Sequence, residues 1–217
     1  MSISENLHHI ESEIPAHVRL VAVSKTKPNE QILEAYAYGQ RDFGENYIQE
    51  LTTKAESLPK DIRWHAIGHI QTNKVKYIAP FVHLIHGVDS LKLLQEINKQ
   101  AAKSNRVIDC LLQVFIASEE TKFGLDEIEV NEILRSEIIR TLPNIRIVGL
   151  MGMASNTDDE KQVRKEFRNL KSLFDSVNQL QPGITILSMG MSGDYKLAIE
   201  EGSTMIRVGS LIFGGRN

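Results

Sequence analysis

Short apolar runs rich in β-branched residues recur along the chain at residues 18–24, 41–45, 63–68, 84–88, 107–115, 145–151, 184–188 and 204–208. Between them apolar residues fall at helical spacing, as in Ile32, Ala35 and Tyr36, in Leu91, Leu94, Ile97 and Ala101, and in Val163, Phe167, Leu170 and Phe174. A run that is apolar at nearly every position suits a parallel strand covered on both faces, so strands alternating with helices predict an α/β fold. Eight units of roughly 25 residues match a (β/α)8 TIM barrel, which can be as short as about 200 residues. An open doubly wound sheet more often has about six strands and needs a switch-point crevice, which this pattern does not show. The expectation is one barrel domain over residues 1–217. Ahead of the first run, Leu7, Ile10 and Ile14 predict a short extra N-terminal helix across the barrel bottom.

Composition narrows the class. Of 217 residues, 41% are hydrophobic and 24% charged, which suits a folded protein with a sizeable core. Lysine and arginine number 25 against 28 aspartates and glutamates, a formal charge of −3 with no block of either sign, so no nucleic-acid partner is expected. The lone Cys110 lies in an apolar run, allows no internal disulfide or cysteine zinc site, and suits a reducing compartment. Residues 1–10 carry no basic region leading into an apolar segment, and no stretch approaches about 18 apolar residues. A cytoplasmic protein without membrane association is expected.

In such a barrel, chemistry belongs at the C-terminal strand ends and the loops that follow. The first run ends in Val21-Ala-Val-Ser-Lys25-Thr-Lys27-Pro28, and alternation sends Val21, Val23 and Lys25 to one face, toward the barrel axis. Lys25 there is either a snorkelling cation or an amine nucleophile, since a partly desolvated lysine near a second cation loses its proton more easily. Lys27 reads as solvated. Barrel closure brings Arg207, near the end of the last run, beside the first strand, and two neighbouring cations call for an anion. The loops Ser188-Met-Gly-Met-Ser192-Gly-Asp194 and Gly209-Ser210 supply glycines and hydroxyls where barrels commonly hold phosphate. A phosphorylated aldehyde fits these parts, either pyridoxal 5′-phosphate or the substrate of a phosphosugar aldolase.

The motifs Ala22-Val-Ser-Lys25-Thr-Lys-Pro28, Phe43-Gly-Glu-Asn46-Tyr47, Trp64-His65-Ala-Ile-Gly68 through Gln71-Thr-Asn-Lys74, the Ser188–Asp194 loop, and Arg207-Val-Gly-Ser210 with Phe213-Gly214 span nearly the whole chain. In them the sequence resembles the pyridoxal phosphate homeostasis proteins, a family similar to the N-terminal barrel of alanine racemase (fold type III). The resemblance implies pyridoxal 5′-phosphate held as a Schiff base on Lys25. It implies that Ser192, Gly209 and Ser210, with Met191 alongside, hold the phosphate, and that Arg207 faces the pyridine nitrogen. Asn46 would line the pocket, with His65 a further candidate. It implies a non-catalytic carrier in vitamin B6 homeostasis with no assigned catalytic residue, and pyridoxal-phosphate-dependent apo-enzymes as recipients. Ala66, Ile70 and Leu211 depart from the family's usual phenylalanine, leucine and alanine.

The competing reading is an amino-acid racemase, which needs a base on each face of the cofactor; alanine racemase takes its second base from an additional domain, whereas here only Arg216 and Asn217 follow Gly215. A monomer is therefore expected. His65 could equally be a hydrogen-bonded core residue. Lys122 reads as solvated, and His83 and His86 lack the spacing or partners of a metal site, so no metal is expected. Met151, Met153, Met189 and Met191 read as barrel packing.

Overall fold

The computed structural model describes residues 2–119 and 122–215; Arg216 and Asn217 lie outside the described residues. All eight runs become strands: Arg19–Val23 (β1), Asp42–Glu45 (β2), Arg63–Ala66 (β3), Leu84–Val88 (β4), Ile108–Val114 (β5), Ile145–Gly152 (β6), Ile186–Ser188 (β7) and Met205–Val208 (β8). The helices are Ile3–Glu13 (α1), Asn29–Tyr38 (α2), Ile48–Ser57 (α3), Val75–Ile78 (α4), Leu91–Lys103 (α5), Glu127–Arg135 (α6), Glu137–Arg140 (α7), Glu160–Leu180 (α8), Tyr195–Glu200 (α9) and Ser210–Phe213 (α10). Each strand pairs in parallel with its chain neighbour, and β1 closes on β8 with Val21 opposite Arg207.

Strand alternation separates two apolar regions. Leu20 and Ala22 point outward into the large layer between strands and helices, which also takes up Leu94, Ile97, Phe167 and Leu170. Val21 points inward and packs with Leu84, Leu111, Met151 and Met205 along the barrel axis. The long helix α8 starts at Asp159, whose carboxylate accepts from the N–H groups of Lys161 and Gln162, a cap worth about 1 kcal/mol. It buries Val163, Phe167, Leu170 and Phe174 at the spacing its pattern predicts.

The N-terminal helix departs from expectation. Ser2 and Glu5 cap α1 reciprocally, but the helix packs along α2 and α10 instead of across the barrel bottom. Asn6 donates to the Ile212 carbonyl, and Tyr38 donates its hydroxyl to Glu11. The last unit supplies only the four-residue α10, so α1 completes the helical ring beside it.

The axis also carries polar side chains that are buried: Asp42, His65, His86, Gln113, Ser188 and Arg207. Burial pushes His65 below the ordinary histidine value of 6.5, against the pull of Asp42. It pushes His86 well below, with His65 and Arg207 adding to the effect. Both imidazoles are neutral in the fold, so the unfolded chain takes up protons that the native state refuses. Stability is full above about pH 6.5 and is lost on acidification. Urea unfolding should show stability falling as the pH drops below about 6.5, and His86→Leu should make that fall shallower. A flat profile would contradict neutral burial.

Candidate functional site

Lys25 stands two residues past the end of β1, half-buried, in a turn whose next residue, Thr26, has φ +64°. A β-branched residue rarely adopts that left-handed conformation, and a cluster behind the turn holds it. The Thr26 N–H donates to Glu50 Oε1 at 2.6 Å. Buried Lys54 donates from Nζ to the Ser24 carbonyl at 2.8 Å, to Glu45 Oε1 at 2.8 Å and to Glu50 Oε1 at 2.6 Å. The Ser24 hydroxyl donates to Glu45 as well. Burial raises the Glu45 carboxyl against the pull of Lys54 and Ser24. The turn that presents Lys25 is thus braced by α3 and β2. Lys27 is not solvated as expected: its Nζ donates to the carbonyls of Phe213 and Gly215, at 3.1 and 2.9 Å, and ties the C-terminal segment to the same turn.

Arg207 points inward from β8 and is 4% exposed. Its Nη1 donates to Ser188 Oγ at 2.6 Å and its Nη2 to the Gly152 carbonyl at 3.1 Å. Burial lowers its pKa to about 10, opposed by Asp194, so the guanidinium keeps its charge at neutral pH. Asp194 in turn accepts from the Met191 N–H at 2.5 Å and shapes the loop before α9. The Ser192 hydroxyl accepts from the Gly209 N–H at 3.2 Å, joining the loops after β7 and β8. Gly209 lies so close to β1 that a Cβ on it would stand 3.0 Å from the Val23 carbonyl oxygen.

These elements enclose a cavity of about 600 Å³ at the C-terminal mouth, within the usual range of small-molecule sites. Seven of the residues singled out from sequence line it together: Lys25, Asn46, Met191, Ser192, Arg207, Gly209 and Ser210. The structure does not bring His65 there. As the third residue of β3 it points into the barrel axis at 0% exposure, with Asp42 and His86 at its two ring nitrogens. His83 and His86 do have partners: His86 joins His65 and Ser188, and His83 stands with Asp42 and His65, the three offering ligand atoms within 4.8 Å of one another. Met151 and Met189 are packing residues at 0% exposure, whereas Met191 faces the cavity. Lys122 is half-buried against Glu119 and the Ala154 carbonyl.

Sequence reasoning missed other wall residues. His69 stacks edge-on with Phe123, ring centroids 4.7 Å apart, and its Nδ1 lies 3.3 Å from Asp89. Asn156 and Ile67 complete that side of the cavity. The rule that barrel chemistry gathers past strand ends points to His69, three residues beyond β3, but nothing local marks Phe123.

The sequence profile of the alanine racemase N-terminal domain matches residues 1–217. The chain is 43% identical to the pyridoxal phosphate homeostasis protein of Vibrio alginolyticus, covering 100% of this chain and 98% of that one. It is 40% identical to the human protein of the same name, over 94% of this chain and 79% of that one. PipY of Synechococcus elongatus PCC7942, solved with PLP bound, matches with a TM-score of 0.88 at 35% identity, covering 98% of this chain and 100% of that one. Alanine racemase of Clostridium difficile 630, at 16% identity and a TM-score of 0.78, covers 99% of this chain and 56% of that one and is alike in fold alone. The chain therefore belongs to the pyridoxal phosphate homeostasis protein family, whose barrel is that of the alanine racemase N-terminal domain.

Proposed function

We propose that this protein binds pyridoxal 5′-phosphate at Lys25 and holds it for release to dependent apo-enzymes in the cytoplasm, as a monomer and without turnover. The observation that carries the reading is one cavity lined by an amine, a buried guanidinium and two serine hydroxyls, in a chain 35% identical to a protein solved with PLP bound.

The residues present fit such a group. The cavity has room for it, and at Gly193 and Gly214 an added Cβ would meet nothing within 4 Å, so backbone there lies open to a ligand. Bound pyridoxal 5′-phosphate supplies an electrophilic aldehyde and an electron-withdrawing ring. Lys25 would hold the group through its Nζ, the amine that lines the cavity. Ser192 and Ser210 would hold the phosphate through their hydroxyls. Arg207 would face the ring nitrogen as a donor that keeps its proton, which would leave the ring a weak electron sink and favour holding over reaction. Racemisation requires a second base across the ring. Lys27, on the cavity wall, is held by two carbonyls that keep its amine protonated.

Lys25→Ala should fold normally yet show no visible absorbance with pyridoxal 5′-phosphate, and borohydride should fix no pyridoxyl group to it. Labelling of Lys122 or another lysine would overturn the assignment. Arg207→Gln should weaken binding by at least about 10-fold and shift the absorbance of the bound chromophore; unchanged affinity and spectrum would remove Arg207 from the site. Production of D-amino acids from L-amino acids well above that of free cofactor would refute the carrier reading.

A further inference from the structure

Beneath the cavity, a line of buried polar groups runs the length of the barrel. Arg207 Nη1 lies 2.6 Å from Ser188 Oγ, which lies 3.2 Å from His86 Nδ1. His86 Nε2 lies 2.9 Å from His65 Nδ1, and His65 Nε2 lies 2.9 Å from Asp42 Oδ1. Asp42 opens β2 at the end of the barrel opposite the mouth, where Arg63 grips it through Nε at 2.8 Å and Nη2 at 2.6 Å.

With both imidazoles neutral, the ends dictate the direction of every bond between them. Arginine can only donate, and an ionised carboxylate can only accept. Burial would raise Asp42, but the hydrogen bonds from Arg63 and His65 outweigh it and hold the carboxyl well below its usual range, so it is ionised. His65 must therefore carry its proton on Nε2 and accept on Nδ1. His86 then donates from Nε2 and accepts on Nδ1, and the Ser188 hydroxyl donates to His86 while accepting from Arg207. All these groups, each at most 5% exposed, are satisfied in one orientation only, and chains aligned in this way polarise one another.

We propose that Asp42, His65, His86 and Ser188 are positioning residues for Arg207, forming a one-directional hydrogen-bond chain that orients the guanidinium and ties its donor strength to the carboxylate at the far end. Its bearing on a cofactor ring nitrogen rests on the function proposed above. Arg19 and Arg63 act on His65 from β1 and β3, His83 acts on His86 from the residue before β4, and Asp194 acts on Arg207 from the loop after β7. Asp42, His65 and His83 also have the ligand types of a metal site. That use is opposed by Arg63, whose guanidinium occupies both Asp42 oxygens.

Two measurements test the chain. In the protein without cofactor, imidazole 15N shifts at neutral pH should report His65 and His86 as neutral rings protonated at Nε2. An Nδ1 proton or a charged ring on either, or stoichiometric zinc uptake through His65, overturns the proposal whether or not pyridoxal 5′-phosphate binds. With pyridoxal 5′-phosphate, Asp42→Asn preserves shape and removes the distant charge. It should lower affinity about 5-fold or more and move the pH midpoint of the bound absorbance. His86→Leu should do the same, and His86→Gln, which keeps one donor and one acceptor, should restore wild-type behaviour. Asp42→Asn that folds and leaves both affinity and pH midpoint unchanged reduces the chain to core packing and overturns the proposal. Failure of the wild type to bind pyridoxal 5′-phosphate would sink the functional reading alone, because the 15N result stands apart from it.

Discussion

Closure of β1 on β8 is the constraint from which the site follows. With Val21 opposite Arg207 in register, the inward face of the first strand leads through Val23 to Lys25 at the same barrel mouth that receives the inward face of the last strand. A slip of β8 by one residue would turn Arg207 into the apolar layer beneath the helices and away from the face that carries Lys25, because side chains alternate with period two. Gly209 permits the approach, since a side chain there would press on the Val23 carbonyl. The same closure sets the glycine-serine loops after β7 and β8 beside the lysine turn.

A buried guanidinium is costly unless its donors find acceptors. Arg207 meets that demand downward, through Ser188 and the Gly152 carbonyl, and so stays charged and fixed beneath the cavity. Lys25 is held in a different way, by a turn braced from behind through Lys54, Glu45 and Glu50. The two cations thus rest on separate supports, one inside the barrel and one between β2 and α3. This arrangement presents an amine and a fixed donor to one cavity.

Much of this was legible in the chain itself. Eight apolar runs announce themselves because parallel strands are covered on both faces, and the strand-end rule picks out Lys25 and the residues around Ser192 and Gly209, while Asn46 comes only from the family resemblance. Legibility stops where long-range pairing decides. Alternation sends His65 inward but says nothing of depth, and its partners Asp42 and His86 lie 23 and 21 residues away in the chain. Lys27 reads as solvated because the carbonyls it binds come from the far terminus, 186 and 188 residues on. For α1, helical spacing identifies the buried face but not the neighbour, which depends on how short the last helix is.

The central claim is most directly tested by diffraction from crystals of this protein grown with pyridoxal 5′-phosphate. Continuous density should run from Lys25 Nζ into the ligand, with its phosphate against Ser192, Gly209 and Ser210 and its ring nitrogen facing Arg207. Density joined to another lysine, or a phosphate seated away from those loops, would contradict it.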